Sequence, residues 1–108
     1  MVKITDRKVN IWVKDFQKKL YSKYSPQKVI LFGSRARKDN LIDSDIDLIV
    51  VSKDFSGVKW PHRIGEVAKL WKGLIDIEPL CYTPEEFAIK KKQIGIVQQA
   101  VKEGIDLI

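Results

Sequence analysis

Two aspartates one residue apart open an apolar run, Asp45-Ile46-Asp47-Leu48-Ile49-Val50-Val51. On a β-strand, residues i and i+2 share a face, so the two carboxylates project the same way about 6–7 Å apart along the strand. Two unit charges at around 4 Å repel by about 1 kcal/mol in water and roughly 4 kcal/mol at the effective dielectric of a protein surface. A divalent cation with oxygen ligands would offset that cost. Mg²⁺ suits the pair, because it binds through one or two carboxylates plus substrate phosphates and keeps several waters. Upstream, Gly33-Ser34 follows the apolar run Lys28-Val29-Ile30-Leu31-Phe32, with ten residues between Ser34 and Asp45. A glycine where a strand turns lets backbone amides approach an anion without a Cβ in the way, and a serine hydroxyl adds a short donor. Arg35 and Arg37 come next, with guanidinium forks that match phosphate oxygens. Downstream, Asp76 and Glu78 are the acids of the next strand-like run, Leu74 to Tyr82, and share one face of it. A third carboxylate from that strand would complete a two-metal arrangement and could accept a hydroxyl proton. Asp-x-Asp alone is a weak signal, since acids at strand ends often cap or solvate, and Gly-Ser alone is no better. The ordered combination is far rarer by chance.

The elements that must hold these residues are legible in outline. Val9, Trp12, Val13, Phe16 and Leu20 recur at helical spacing with lysines opposite, which predicts a helix over about 5–23, started at Thr5 and ended before Pro26. Lys28 to Phe32 is apolar on both faces and is expected to be a central strand. Residues 33–44 are expected to turn, and Asp45 to Val51 to form the second strand, with Asp45, Asp47, Ile49 and Val51 on one face. After a loop, Pro61 suits a helix start; Ile64, Val67, Ala68 and Trp71 mark its buried stripe, and Gly73 its end. Leu74 to Tyr82 is expected to be a third strand, placed at an edge or strand end by Pro79, which lacks a donor. Thr83-Pro84-Glu85-Glu86 has the form of a capping box opening a final helix or helix pair that runs to about 103 and breaks near Gly95. The expected fold is therefore a single α/β (α+β) domain over 1–108, a small mixed sheet flanked by helices. His62, Cys81 and the tryptophans 12, 60 and 71 are expected in cap, packing or contact roles.

The motif Gly33-Ser34-x₁₀-Asp45-x-Asp47, within GSRARKDNLIDSDIDLIVV, resembles the signature of the nucleotidyltransferase superfamily that includes DNA polymerase β. The length and the IDIEPLCYTPEEF segment are similar to its minimal nucleotidyltransferases, antitoxin-like proteins of bacteria and archaea. The resemblance spans residues 28 to about 104. It implies a polymerase-β-like mixed sheet and Mg²⁺-dependent attack of a hydroxyl on the α-phosphate of ATP or another NTP, with release of pyrophosphate. It also implies that Gly33 and Ser34 hold the triphosphate, while Asp45 and Asp47 bind metal, two ions being expected. For the third acid, the pattern of an Asp between apolar residues favours Asp76, as metal ligand and catalytic residue. Counting back from Tyr82-Thr83-Pro84 favours Glu78, and both stay open. The likeness to the antitoxin half of two-component modules implies transfer of AMP to a helical HEPN-type partner protein. A non-catalytic subunit that binds nucleotide and neutralises a partner by complex formation is the competing expectation.

Composition bounds these alternatives. In 108 residues, 44% hydrophobic and 31% charged, the balance is globular, which excludes disordered and collagen-like chains. One cysteine excludes an intrachain disulfide, and no apolar run approaches the length of a membrane span. With the charged opening MVKITDRKVN, a cytoplasmic protein is expected. The net charge is +6, and residues 1–28 carry all of it, with eight Lys/Arg against Asp6 and Asp15. That stretch could attract nucleic acid, but no aromatic-basic interleaving or readout motif accompanies it, so nucleic acid is not expected as the main partner. A homo-oligomer is compatible with the sequence.

Overall fold

In the computed structural model, residues 7–33 and 45–108 are described. Helix α1 (Arg7–Lys23) turns Val9, Val13, Phe16 and Leu20 inward and leaves its lysines in water. Each such side chain contributes about 1.5–3 kcal/mol by leaving water. The Asp15–Lys19 pair at 2.8 Å, one turn apart on the wet face, adds only a few tenths. Strand β1 (Lys28–Phe32) pairs antiparallel with β2 (Ile46–Val51), and β2 pairs parallel with β3 (Ile77–Tyr82). Between β2 and β3 lie a 3-10 turn (Lys53–Phe55) and helix α2 (Trp60–Ala68). Helices α3 (Pro84–Lys90) and α4 (Ile96–Glu103) follow, and the two-residue strand β4 (Ile105–Asp106) returns antiparallel to β1. The sheet order is β3-β2-β1-β4, so the expected mixed sheet with flanking helices is the observed fold.

Strand alternation sends alternate residues into two separate cores. Val29, Leu31, Ile46, Leu48, Val50 and Cys81 meet α1, Phe55 and Val67 on one face. Ile30, Phe32, Ile49, Val51 and Tyr82 meet Phe87, Val97 and Ala100 on the other. Asp45 and Asp47 belong to this second face by parity, at the end where the apolar alternation of β2 begins. Burial pushes the Cys81 thiol up to about 12, which makes it an inert packing group.

The structure differs from expectation at four places. Helix α2 ends at Ala68 rather than running to Gly73. Gly73 instead leaves room for rings: a Cβ there would lie 2.5 Å from Trp71 and 2.8 Å from Trp12. Those two rings pack edge to face at 6.2 Å, and the Trp71 indole N–H donates to the Ile75 carbonyl at 2.6 Å. Strand β3 starts at Ile77, three residues later than expected, because β2 begins at Ile46 and offers no ladder partner further back. Pro79 does lie on an edge strand. Strand β4 was not expected; it is too short for periodicity to reveal, and it is fixed by tertiary bonds such as Leu107 N–H to the Val29 carbonyl at 2.8 Å.

Arg63 ties the α2, β3 and α3 layers together. Its Nη1 and Nη2 donate to the Glu86 carboxylate at 2.6 and 3.3 Å, Nη1 also to the Cys81 carbonyl at 3.2 Å, and Nε to the Val58 carbonyl at 2.7 Å. Glu86 meanwhile closes the capping box with Thr83, and the guanidinium beside it holds its carboxyl below the usual range. The Arg63 side chain is 7% exposed, so Arg63→Ala leaves buried carbonyls without their donor. Its expected cost is about 2–3 kcal/mol, read as a lower urea midpoint. Glu86, lowered in the fold, gives stability that is present above its ordinary pKa of 4.5 and fades as pH falls through the depressed value. Glu86→Gln should therefore flatten the acid limb of the stability curve.

Candidate active site

The C-terminal end of β1, the N-terminal end of β2 and the N-terminal end of β3 meet at one edge of the molecule. The ladder sets Asp47 opposite Phe32 on one side and opposite Glu78 on the other. Asp45 precedes β2 by one residue and is exposed; Asp47 is half-buried. Parallel pairing places residues of equal parity on the same face, so Glu78 projects beside the two aspartates. Hydrogen bonding to the Asp45 side chain is the main cause that raises the Glu78 pKa. Desolvation, the charges of Asp47 and Asp45, and a bond to the Asp47 side chain add to it. The register thus brings three carboxyl groups to the same end of one sheet face, and the aspartates beside Glu78 raise its pKa.

Asp76 is the other candidate for the third acid, and it is exposed, as Glu78 is. The Asp76 backbone carbonyl accepts the Ile46 N–H at 2.9 Å. Strand β3 starts at Ile77, so Asp76 lies one residue before it.

Gly33 ends β1 with φ +76°, a left-handed conformation that side chains rarely adopt. A Cβ at this position would run into the Asp47 carboxylate. The glycine is required twice over, by backbone conformation and by the approach of Asp47. Ser34, Arg35 and Arg37, expected to contact phosphate, lie outside the described residues. His62 is exposed at a helix start, 3.6 Å from Glu66, and takes no part in the site. Gln99 and Glu103 of α4 line a cleft with Gly33 and Asp47. The sequence did not single them out, because polar residues four apart on a helix look like an ordinary solvated face.

The donor set fits a hard divalent cation: three carboxylates, all oxygen, gathered at a cost that a cation would relieve. Among the described residues, no group of three or more His, Cys, Asp or Glu forms a ready-made metal cage. The arrangement is therefore one that a cation with its own phosphate and water ligands could draw together. Gly33→Ala should lower the melting temperature, by strain of order 1–3 kcal/mol, and should displace the Asp47 carboxylate. In metal-free buffer near neutral pH, Asp45→Asn should raise the melting temperature by about 1–3 °C, because it removes a like charge. The parent should lose stability as pH rises from the ordinary carboxylate value of 4.5 through the raised Glu78 pKa, since the fold disfavours that ionisation. Glu78→Gln should remove that slope.

Comparison with known proteins agrees with this geometry. No curated protein gives a significant match. A crystal structure at 1.40 Å resolution of a Sulfolobus solfataricus protein, provisionally named a nucleotidyltransferase, superposes with a TM-score of 0.59 at 21% identity. The match covers 98% of this chain and 89% of that one. At that identity the likeness is one of fold. The family model of the nucleotidyltransferase domain matches residues 12–107, which include the glycine turn, the paired aspartates and the third acidic strand. With nearly the whole chain inside that match, the protein belongs to the nucleotidyltransferase domain family.

Proposed function

We propose that the protein transfers a nucleoside monophosphate, AMP from ATP, to an acceptor hydroxyl on a HEPN-type helical partner, as the antitoxin of a two-component module in the cytoplasm. The observation that carries the catalytic half is the grouping of Asp45, Asp47 and Glu78 beside the Gly33 turn. The acceptor and partner follow from the resemblance to minimal antitoxin nucleotidyltransferases, and the donor from the family's use of NTPs.

In this mechanism Gly33 and Ser34 cradle the triphosphate, with Arg35 and Arg37 drawing charge from its oxygens. Asp45 and Asp47, with Glu78, are the residues that would hold Mg²⁺, and the cation would supply positive charge that screens the phosphates. The acceptor oxygen attacks the α-phosphorus, and a new P–O bond forms as the bond to the β-phosphate oxygen breaks. Pyrophosphate leaves, and the acceptor proton passes to Glu78, which the parallel register sets opposite Asp47. We assign this proton to Glu78 rather than Asp76 because the register sets Glu78 opposite Asp47.

The test is incubation with α-labelled ATP, Mg²⁺ and the protein encoded beside this one. Label should appear on the neighbour. Asp45→Asn, Asp47→Asn and Glu78→Gln should each lower transfer by at least about 100-fold, while Asp76→Asn stays near the parent level. Transfer that survives Asp47→Asn would refute the metal assignment. A stable, unlabelled complex would favour a subunit that neutralises its partner by binding alone.

A further inference from the structure

On the β1 side of Asp47, opposite to Glu78, the floor of the cleft continues into a pocket of about 190 Å³ walled by α4. Phe32, Ala100 and Ile96 make its apolar surface, and Glu103 and Gln99 its polar one, with Gln99 Nε2 donating to Glu103 Oε1. We infer that this pocket is the sugar subsite for a ribonucleoside triphosphate, with the Glu103 carboxylate accepting hydrogen bonds from the ribose hydroxyls. The inference rests on the proposed NTP-dependent transfer and goes on to specify which nucleotides the site accepts.

Three observations lead there. The first is connectivity: the sugar is joined through one oxygen to the α-phosphate, which the mechanism holds over Asp47. The sugar must therefore fall in space adjoining Asp47, and this pocket adjoins both Asp47 and Gly33. The second is charge. A carboxylate repels phosphate but accepts from neutral vicinal hydroxyls, so Glu103 suits the sugar and excludes the triphosphate, which the glycine turn is built to take. The third is size. The volume of about 190 Å³ is below the roughly 300–1,000 Å³ of a site for a whole drug-sized ligand, so it takes one moiety such as a sugar. A macromolecular acceptor has the other side available, where β3 is the edge of the sheet and Glu78 stands. The Gln99 amide, bonded to Glu103 one helical turn on, orients the carboxylate for this role.

The probe is the affinity of the whole chain, with Mg²⁺, for ATP and for 2′,3′-dideoxy-ATP, in the parent and in Glu103→Gln. The parent should prefer ATP by about tenfold or more, since a site that bonds a hydroxyl through a charged group discriminates against its absence. Glu103→Gln should reduce that preference to about threefold or less while still folding, because the residue is exposed on the last turn of α4. Equal affinity of the parent for both nucleotides would overturn the sugar subsite, even if the variant did not fold. An unchanged preference in Glu103→Gln would also overturn it. In either case the transferase reading stands. A parent that bound neither nucleotide would overturn both.

Discussion

The constraint on which the rest depends is the gathering of three like charges at one end of a small sheet. When all three are ionised, Asp45, Asp47 and Glu78 repel, and each would gain by moving apart. They are held by backbone register. Asp47 is opposite Glu78 because Leu48, Val50 and their β3 partners fix the parallel ladder, and a one-residue slip would turn every core side chain outward. Burial of a dozen apolar side chains on that face outweighs a few kcal/mol of repulsion at its rim. Strain of this kind at a site, sustained by a well-packed core, is the usual mark of a structure shaped for binding rather than for stability.

The two faces of the sheet divide the work. The first face, under α1 and α2, is the thicker core and is closed by aromatic contacts among Trp12, Phe16 and Trp71. The second face is thinner, under α3 and α4, and continues at one end into the carboxylates and the cleft. Arg63 couples the two, reaching from α2 across the end of β3 to the cap of α3. A buried cation with all three nitrogens engaged gives rigidity and fixes how α3 sits against the sheet.

Membership of the nucleotidyltransferase domain family brings expectations of NTP and divalent metal, and the oxygen-rich donor set agrees with them. At 21% identity to its structural neighbour, the chain shares a fold while its surface has diverged. Substrate choice therefore has to be read from this protein's own walls, and the α4 wall with Glu103 and Gln99 is one of them.

Some of this was written in local sequence and some was not. The amphipathic period of α1, the apolar run of β1, the alternation of β2 and the Thr83–Glu86 capping box are local signals, and the structure bears each of them out. The Gly33 turn and the Asp45–Asp47 pair were legible for the same reason, because their chemistry depends on neighbours within a few residues. The roles of Asp76 and Glu78 could not be separated, because parity along one strand is the same for both. The β2–β3 register sets Glu78 opposite Asp47, a placement made by partners distant in the chain. Gly73, Arg63, β4 and the α4 wall of the cleft were likewise invisible, because each owes its place to partners distant in the chain. Periodicity and capping act over one or two turns of chain, whereas register, ring packing and pocket walls are set by how whole elements dock.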